Sequence, residues 1–475
     1  MWKTVIGLEI HAQLLTSTKL FCSCPANYGD SPNSNVCPVC FGLPGALPVL
    51  NGEAVRQALR AALLLNCRIN RTSSFDRKNY FYPDLSKGYQ ITQFFHPYAE
   101  NGYMEIEVGG TRRIGITRIH IEEDAGKSFH DEERGETLVD FNRCGTPLIE
   151  IVSEPDLETP EEAAEYLRRL RELLVYAGVN DGNLEEGSLR CDANISLHRE
   201  GEPLGTRVEI KNLNSYRFLQ RALRYEQERQ AELLERGEEV GRETRLFDVK
   251  SNRTMVMRTK EQLLDYRYFP EPDLGILRIE EEEIRLAGST LPETPALKRE
   301  RYVREYHLSA DDAKILVSSP SQAAFYEETV KLGAPPVKAA HWLLTELLQH
   351  ASGSDPFLTP PLTPKAFADL LVSLEKGRIT APMAKDILPE MIEKGLSATE
   401  LIAKKGIALV DSPEAVKAMV KGVLEGLRPE VERYRAGETK LLGFLIGEVM
   451  KSCRGAAQPK TVNQTVREFL EGKEE

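Results

Sequence analysis

The stretch TVIGLEIHAQLL, residues 4–15, decides the architecture. Ile6, Leu8, Ile10 and Ala12 alternate with Glu9, His11 and Gln13, so a strand here carries an apolar row on one face and an ionisable row on the other. Four more segments repeat the device, each with an acid inside a strand-like run: RIHIEEDAGK (118–127), GTPLIEIVS (145–153), SLRCDANISL (188–197) and GTRVEIKN (205–212). Alternation sets Asp192 against Cys191 and Ala193, and Glu209 against Val208 and Ile210. Glu123 follows the face of Ile119 and Ile121, and Glu150 shares its face with Leu148 and Val152, so both are expected to be partly desolvated. Burying an ionised carboxylate costs on the order of several kcal/mol unless it is paired, hydrogen-bonded or bound to metal. Carboxylates gathered with one histidine predict a cation, and hard oxygen donors without thiolate favour Mg2+. The alternative is a set of ordinary strand acids, solvated or paired with arginine.

At 475 residues the chain is too long for one core. Residues 1 to about 290 mix short strands with helices announced by Asn51, by Thr159 with Pro160 and Glu162, and by Ser215. Without a regular βαβ rhythm, this predicts an α+β domain with a largely antiparallel sheet. After the acidic run Glu280–Glu283 the composition changes, and from Pro295 the pattern is almost wholly helical. Helices are expected over 321–332, 336–350, 363–376 and 381–394, then in a tail over 412–424, 428–435, 438–452 and 461–471. The expected domains are 1–290 (catalytic), 291–400 (helical) and 401–475 (tail).

No run of about 18 uncharged apolar residues and no signal-peptide pattern is present, which predicts a soluble cytoplasmic protein. The net charge of −12 argues against a polyanion binder of histone type. Residues 401–475 hold thirteen Lys and Arg against eleven Asp and Glu, so the tail is the best electrostatic candidate for RNA, although a neutral solvated surface has the same balance.

Eight cysteines in such a chain read as thiols or ligands. Cys22, Cys24, Cys37 and Cys40 lie in FCSCPANYGDSPNSNVCPVC (21–40), two close pairs joined by a loop rich in Pro, Gly and Asn. Four thiolates fill the shell of a tetrahedral Zn2+, which predicts a structural zinc knuckle. Cys67, Cys144, Cys191 and Cys453 are scattered and read as small buried residues.

AGKSFH (125–130) is no P-loop, because Ile121 stands where its first glycine belongs and Glu122, Glu123 and Asp124 would repel phosphate. Any use of ATP must therefore pass through acids and a metal. FDRKNYFYPDLSKGYQITQ (75–93) interleaves aromatics with cations around a Pro/Gly turn, a composition suited to a base or phosphate and equally to a plain surface hairpin.

Together TVIGLEIHAQL, FDRKNYFYPD (75–84), GYQITQ (88–93), GITRIHIEEDAGKS (115–128), GTPLIEIVSEPD (145–156), EEGSLRCDANISL (185–197), KNLNS (211–215) and DYRYFPEPDL (265–274) resemble the B subunits of tRNA-dependent amidotransferases, the GatB family. LLGFLIGEVMKSCRGAAQPKTV (441–462) resembles that family's YqeY-like tRNA-binding tail, with Lys451, Arg454 and Lys460 as its candidate phosphate contacts. The resemblance implies an enzyme that uses ATP to phosphorylate the side-chain carboxylate of Glu-tRNA(Gln) or Asp-tRNA(Asn), after which ammonia displaces phosphate. It implies His11, Glu123 and Glu150 as Mg2+ ligands, with Glu9, Asp192 and Glu209 lining the same pocket. Lys78, Tyr80, Tyr82 and Lys87 fall on the substrate and ammonia-channel side. The implied partners are the amidotransferase's glutaminase, since no Ser-Ser-Lys amidase signature is present here, and its small third component, in a heterotrimer acting on tRNA(Gln) or tRNA(Asn). Two competing readings are a non-catalytic scaffold that holds tRNA for the partner enzyme, and a zinc ribbon that reads nucleic acid.

Overall fold

A computed structural model describes residues 2–131, 133–259, 265–350, 355, 357–405, 413–452 and 459–471. The chain divides into two compact units, Met1–Thr294 and Pro295–Glu475.

The strands of the first unit are β1 (Trp2–Gln13), β2 (Arg68–Ile69), β3 (Thr72–Ser73), β4 (Asp76–Asn79), β5 (Tyr89–Thr92), β6 (Ala99–Glu107), β7 (Thr111–Glu123) and β8 (Lys127–Asp131). They continue with β9 (Glu136–Asp140), β10 (Pro147–Ser153), β11 (Leu189–Arg199), β12 (Val208–Lys211), β13 (Glu243–Asp248), β14 (Arg253–Thr259), β15 (Phe269–Pro270) and β16 (Leu277–Arg278). Its helices are α1 (Pro38–Phe41), α2 (Gly52–Leu64), α3 (Pro160–Tyr176), α4 (Tyr216–Glu235) and α5 (Glu281–Ser289). Nine strands form the main sheet in the order β14-β13-β12-β11-β1-β10-β7-β6-β2. Its neighbours run antiparallel except β12 and β13, and the α+β expectation holds. The five acid-bearing segments are the adjacent strands β12, β11, β1, β10 and β7.

The parallel pair needs a crossover, and α4 supplies it. Ser215 caps this helix by accepting from the Phe218 N–H. Glu226, fully buried on α4, is held by Arg229 and by Arg245 of β13, and accepts from Thr254 of β14. Thr159 and Glu162 form the expected capping box at the start of α3, with Pro160 at the first helical position. Asn51 caps α2 by accepting from the Glu53 N–H. These helices bury Leu59, Leu167, Leu170, Leu219 and Leu223 in one core with Ile6, Leu8, Ile10, Ile119, Ile149 and Ile195, so one sheet face is packed and the other is left for polar groups. In the acidic run at 280–283, Glu280 and Glu283 make a capping box that starts α5.

In the second unit α6 (Pro295–Tyr306), α7 (Ala310–Leu316), α8 (Pro320–Lys331), α9 (Pro336–Trp342), α10 (Pro364–Glu375), α11 (Ala381–Lys394) and α12 (Ala398–Lys405) come first. The helix expected over 336–350 continues from α9 as a π turn, Leu343–Leu347, and a short 3-10 turn, Leu348–His350. Then α13 (Pro413–Gly426), α14 (Arg428–Arg435), α15 (Leu441–Ser452) and α16 (Pro459–Leu470) pack on one another around Val416, Val420, Leu445, Val449, Val462 and Val466. Among the described residues no helix is long and apolar enough to cross a membrane.

Candidate functional site

Register fixes which side chains share the polar face. His11 of β1 lies opposite Glu150 of β10, which lies opposite His120 of β7, while Glu9 lies opposite Asp192 and Asn194 opposite Glu209. Directly paired residues point to one side of a sheet, so all of these groups converge there. His11 Nε2 lies 3.3 Å from Glu150 Oε2 and 3.6 Å from Glu122 Oε1, and His120 Nε2 lies 3.4 and 3.5 Å from the same two carboxylates. Donor atoms of His11, Glu122 and Glu150 all fall within 4.8 Å of one another, a group able to hold a metal ion.

Glu122 therefore stands where Glu123 was expected. The strand turns Glu123 to the face of Ile119 and Ile121, where its carboxylate pairs with Lys87 and accepts from the Ile91 N–H at 3.0 Å. His120, which the sequence pattern did not single out, belongs to the cluster. The parity of RIHIEED carried both corrections, since His120 and Glu122 alternate with Ile119 and Ile121.

Burial pushes the Glu150 carboxyl up, but His120 and His11 outweigh it and hold it well below the ordinary range. Glu122 is likewise lowered, its burial overcome by His120. Burial opposes protonation of the imidazoles, yet the carboxylates raise His11 and push His120 up to about 9. Glu9 is different: burial, then the charges of Glu150, Glu209 and Asp192, push its carboxyl up, and Asn194 donates to it at 3.0 Å. Asp192 and Glu209 are bridged by Lys211 at 2.6 and 2.9 Å, and Thr244 donates to Glu209 at 2.7 Å. Beside Glu9 a cavity of about 240 Å3 opens, lined by Gly7, Ser153, Asn194, Ser196 and Arg207.

The 75–93 segment is the hairpin β4–β5, and its polar groups divide. Gln93 and Gln90 are buried and satisfy the free edge of β7, Gln93 accepting from the Ile121 N–H at 3.0 Å and Gln90 donating to the Glu123 carbonyl at 2.7 Å. Arg77 is taken by Glu271 at 2.7 Å and stacks on Tyr89. Lys78 lies over the Tyr266 ring at 4.9 Å; burial opposes its charge, but Glu122 and Glu150 raise its pKa. Tyr80 packs edge-on to Tyr82 and Tyr266, and Tyr82 is half exposed.

The four cysteines do meet. Cys22, Cys37 and Cys24 place their sulfurs 3.6, 3.8 and 3.8 Å from Cys40 Sγ. A tetrahedral Zn2+ with Zn–S bonds of about 2.3 Å spaces its sulfurs about 3.8 Å apart, so the donor set fits. In the tail Lys451 and Lys460 are exposed, with Glu448 3.8 Å from Lys451, and Arg454 lies outside the described residues.

Residues 4–285 match the family described as the GatB/GatE catalytic domain, and residues 324–470 match the GatB domain family. The chain belongs to the GatB family. The B subunits of aspartyl/glutamyl-tRNA(Asn/Gln) amidotransferases resemble this GatB chain over nearly its whole length. Those of Brevibacillus brevis and Thermotoga maritima are 46% identical and that of Persephonella marina 47%, each covering 99% of both chains.

Proposed function

We propose that the polar sheet face binds Mg2+, ATP and the charged end of an aminoacyl-tRNA, and that this chain turns the side-chain carboxylate of Glu-tRNA(Gln), Asp-tRNA(Asn) or both into the amide. The observation that carries the reading is the group His11, Glu122 and Glu150, whose donor atoms lie within 4.8 Å of one another, beside Glu9, whose carboxyl is pushed up by burial and then by the charges of Glu150, Glu209 and Asp192. The relatives' shared name supplies the substrate class.

His11, Glu122 and Glu150 would hold the ion, His11 as neutral imidazole. When bound, Mg2+ neutralises charge on the phosphates. Lys211 fixes Asp192 and Glu209, and Asn194 fixes Glu9, so the acids that surround the nucleotide are set before it arrives. Lys78, facing Glu122 and Glu150, meets the anionic side chain of the substrate. A carboxylate resists ammonia because neither oxygen leaves readily. Transfer of the γ-phosphoryl group onto one oxygen makes it a leaving group, ammonia then forms the C–N bond, and phosphate departs with the C–O electron pair. Ammonia comes from a partner glutaminase, and a small third component completes a cytoplasmic heterotrimer. The buried Lys87–Glu123 pair lies on the ammonia route. Zn2+ in the cysteine knuckle is structural, and Lys451, Arg454 and Lys460 of the tail contact tRNA phosphates.

The test incubates the chain, with and without its glutaminase partner, with misacylated tRNA, ammonia and ATP, and follows ADP and amide. At the Mg2+ concentration that just saturates the parent, Glu122→Gln is expected to lose nearly all of both products while keeping tRNA affinity. Normal turnover in that variant would leave only the scaffold reading.

A further inference from the structure

Lys19 is completely buried, 0% exposed. Its ammonium donates to the Asn35 carbonyl at 2.7 Å, the Phe141 carbonyl at 3.3 Å and Cys40 Sγ at 3.3 Å. A buried ammonium persists only with such partners, and four thiolates around a divalent ion leave an excess of about two negative charges facing it. Cys40 is also a backbone anchor: its carbonyl accepts from Ser86 Oγ at 2.5 Å and from Cys144 Sγ at 3.5 Å. Two residues on, Gly42 ends α1 at φ +64°, where an added Cβ would stand 2.5 Å from Lys87 Cγ and 3.0 Å from Lys87 Cα. The knuckle and the turn at 82–88 therefore share one packed seam, and from it the Lys87 side chain reaches Glu123.

We propose that the metal-loaded cysteine centre positions Lys87. The ion ties Cys40 to Cys22, Cys24 and Cys37, Lys19 ties it to the strand end at Phe141, and Ser86 with the Gly42 contact passes that position to the Lys87–Glu123 pair. The inference is independent of the reaction assigned to the acidic face, because its readout is structural. Hydrogen exchange by mass spectrometry is measured on the full chain loaded with Zn2+ alone, on the same chain after chelation, and on Ser86→Ala, which keeps all four cysteines. Chelation is expected to speed exchange of the amides from Ser86 to Ile91 at least about tenfold while those of β1 and β10 stay protected. Ser86→Ala is expected to keep one zinc per chain and to speed the same amides about fivefold, the worth of one lost hydrogen bond. Unchanged exchange from Ser86 to Ile91 after zinc release overturns the proposal, as does Ser86→Ala behaving like the parent. An equal rise in β1 and β10 overturns it too, since the centre would then only staple the whole unit, and so does a chain that binds no zinc.

Discussion

Replacing Glu122 and Glu123 one at a time by glutamine separates two adjacent carboxylates that the strand sends to opposite faces. In Glu122→Gln the cluster loses one formal charge 3.6 Å from His11 Nε2 and 3.5 Å from His120 Nε2. A unit pair at 3.6 Å is worth about 4.6 kcal/mol at an effective dielectric of about 20, and a divalent ion at similar range feels more. If only about 2.8 kcal/mol of this survives relaxation, the Mg2+ concentration for half-maximal ADP release rises about 100-fold. Glu123→Gln leaves that requirement within about threefold of the parent but strands the buried Lys87 ammonium, at a cost of about 3–5 kcal/mol in the stability of the first unit. The assay is a Mg2+ titration of ADP release in the assembled enzyme with misacylated tRNA and ammonia, paired with urea unfolding of each variant. An equal shift in Mg2+ requirement for both variants, or none for Glu122→Gln, would refute the parity argument.

Three further outcomes are expected. Glu226→Gln leaves Arg245 and Arg229 short of their buried partner and costs about 3–5 kcal/mol, read as an earlier urea midpoint of the first unit. Glu327 in the helical unit is bound by Lys298 at 2.7 Å and by Tyr302 at 3.0 Å, and although burial pushes its carboxyl up, these contacts lower it. Its stabilisation is therefore present above the unfolded carboxyl pKa and is lost as pH falls through the lower folded value; Glu327→Gln removes about 1–3 kcal/mol at pH 7 and flattens the acid limb of the stability profile. Replacing Lys451 and Lys460 together by Ala raises the KM for tRNA and reduces the slope of log affinity against log salt by about 2, measured by filter binding.

The acid-bearing strands were legible because each carries its own alternation, and their segments prove to be neighbours in the sheet. Parity within RIHIEED already puts Glu122 on the face of His120 and Glu123 on that of Ile119 and Ile121; what a single run hides is that this face lies beside Glu150 and His11. The cysteine spacing announced its centre outright. The work of Gln90 and Gln93 could not be read from the sequence, because amides that satisfy a strand edge have the composition of amides that bind ligands. Lys19, Lys211 and His120 stayed hidden for a related reason: a lone cation or imidazole in a strand or turn reads as surface until its partners from distant segments are known.

The central position of β1 has a temporal consequence. β1 pairs on one side with residues near 150 and on the other with residues near 195, so until about half of the unit has been made it has neither neighbour. Contacts this distant in sequence close late. A nascent chain or proteolytic fragment that stops between Glu150 and Lys211 has the histidine and both glutamates of the ion cluster but lacks the clamp that orders the remaining acids, so the pocket matures only once the chain has been made through Lys211.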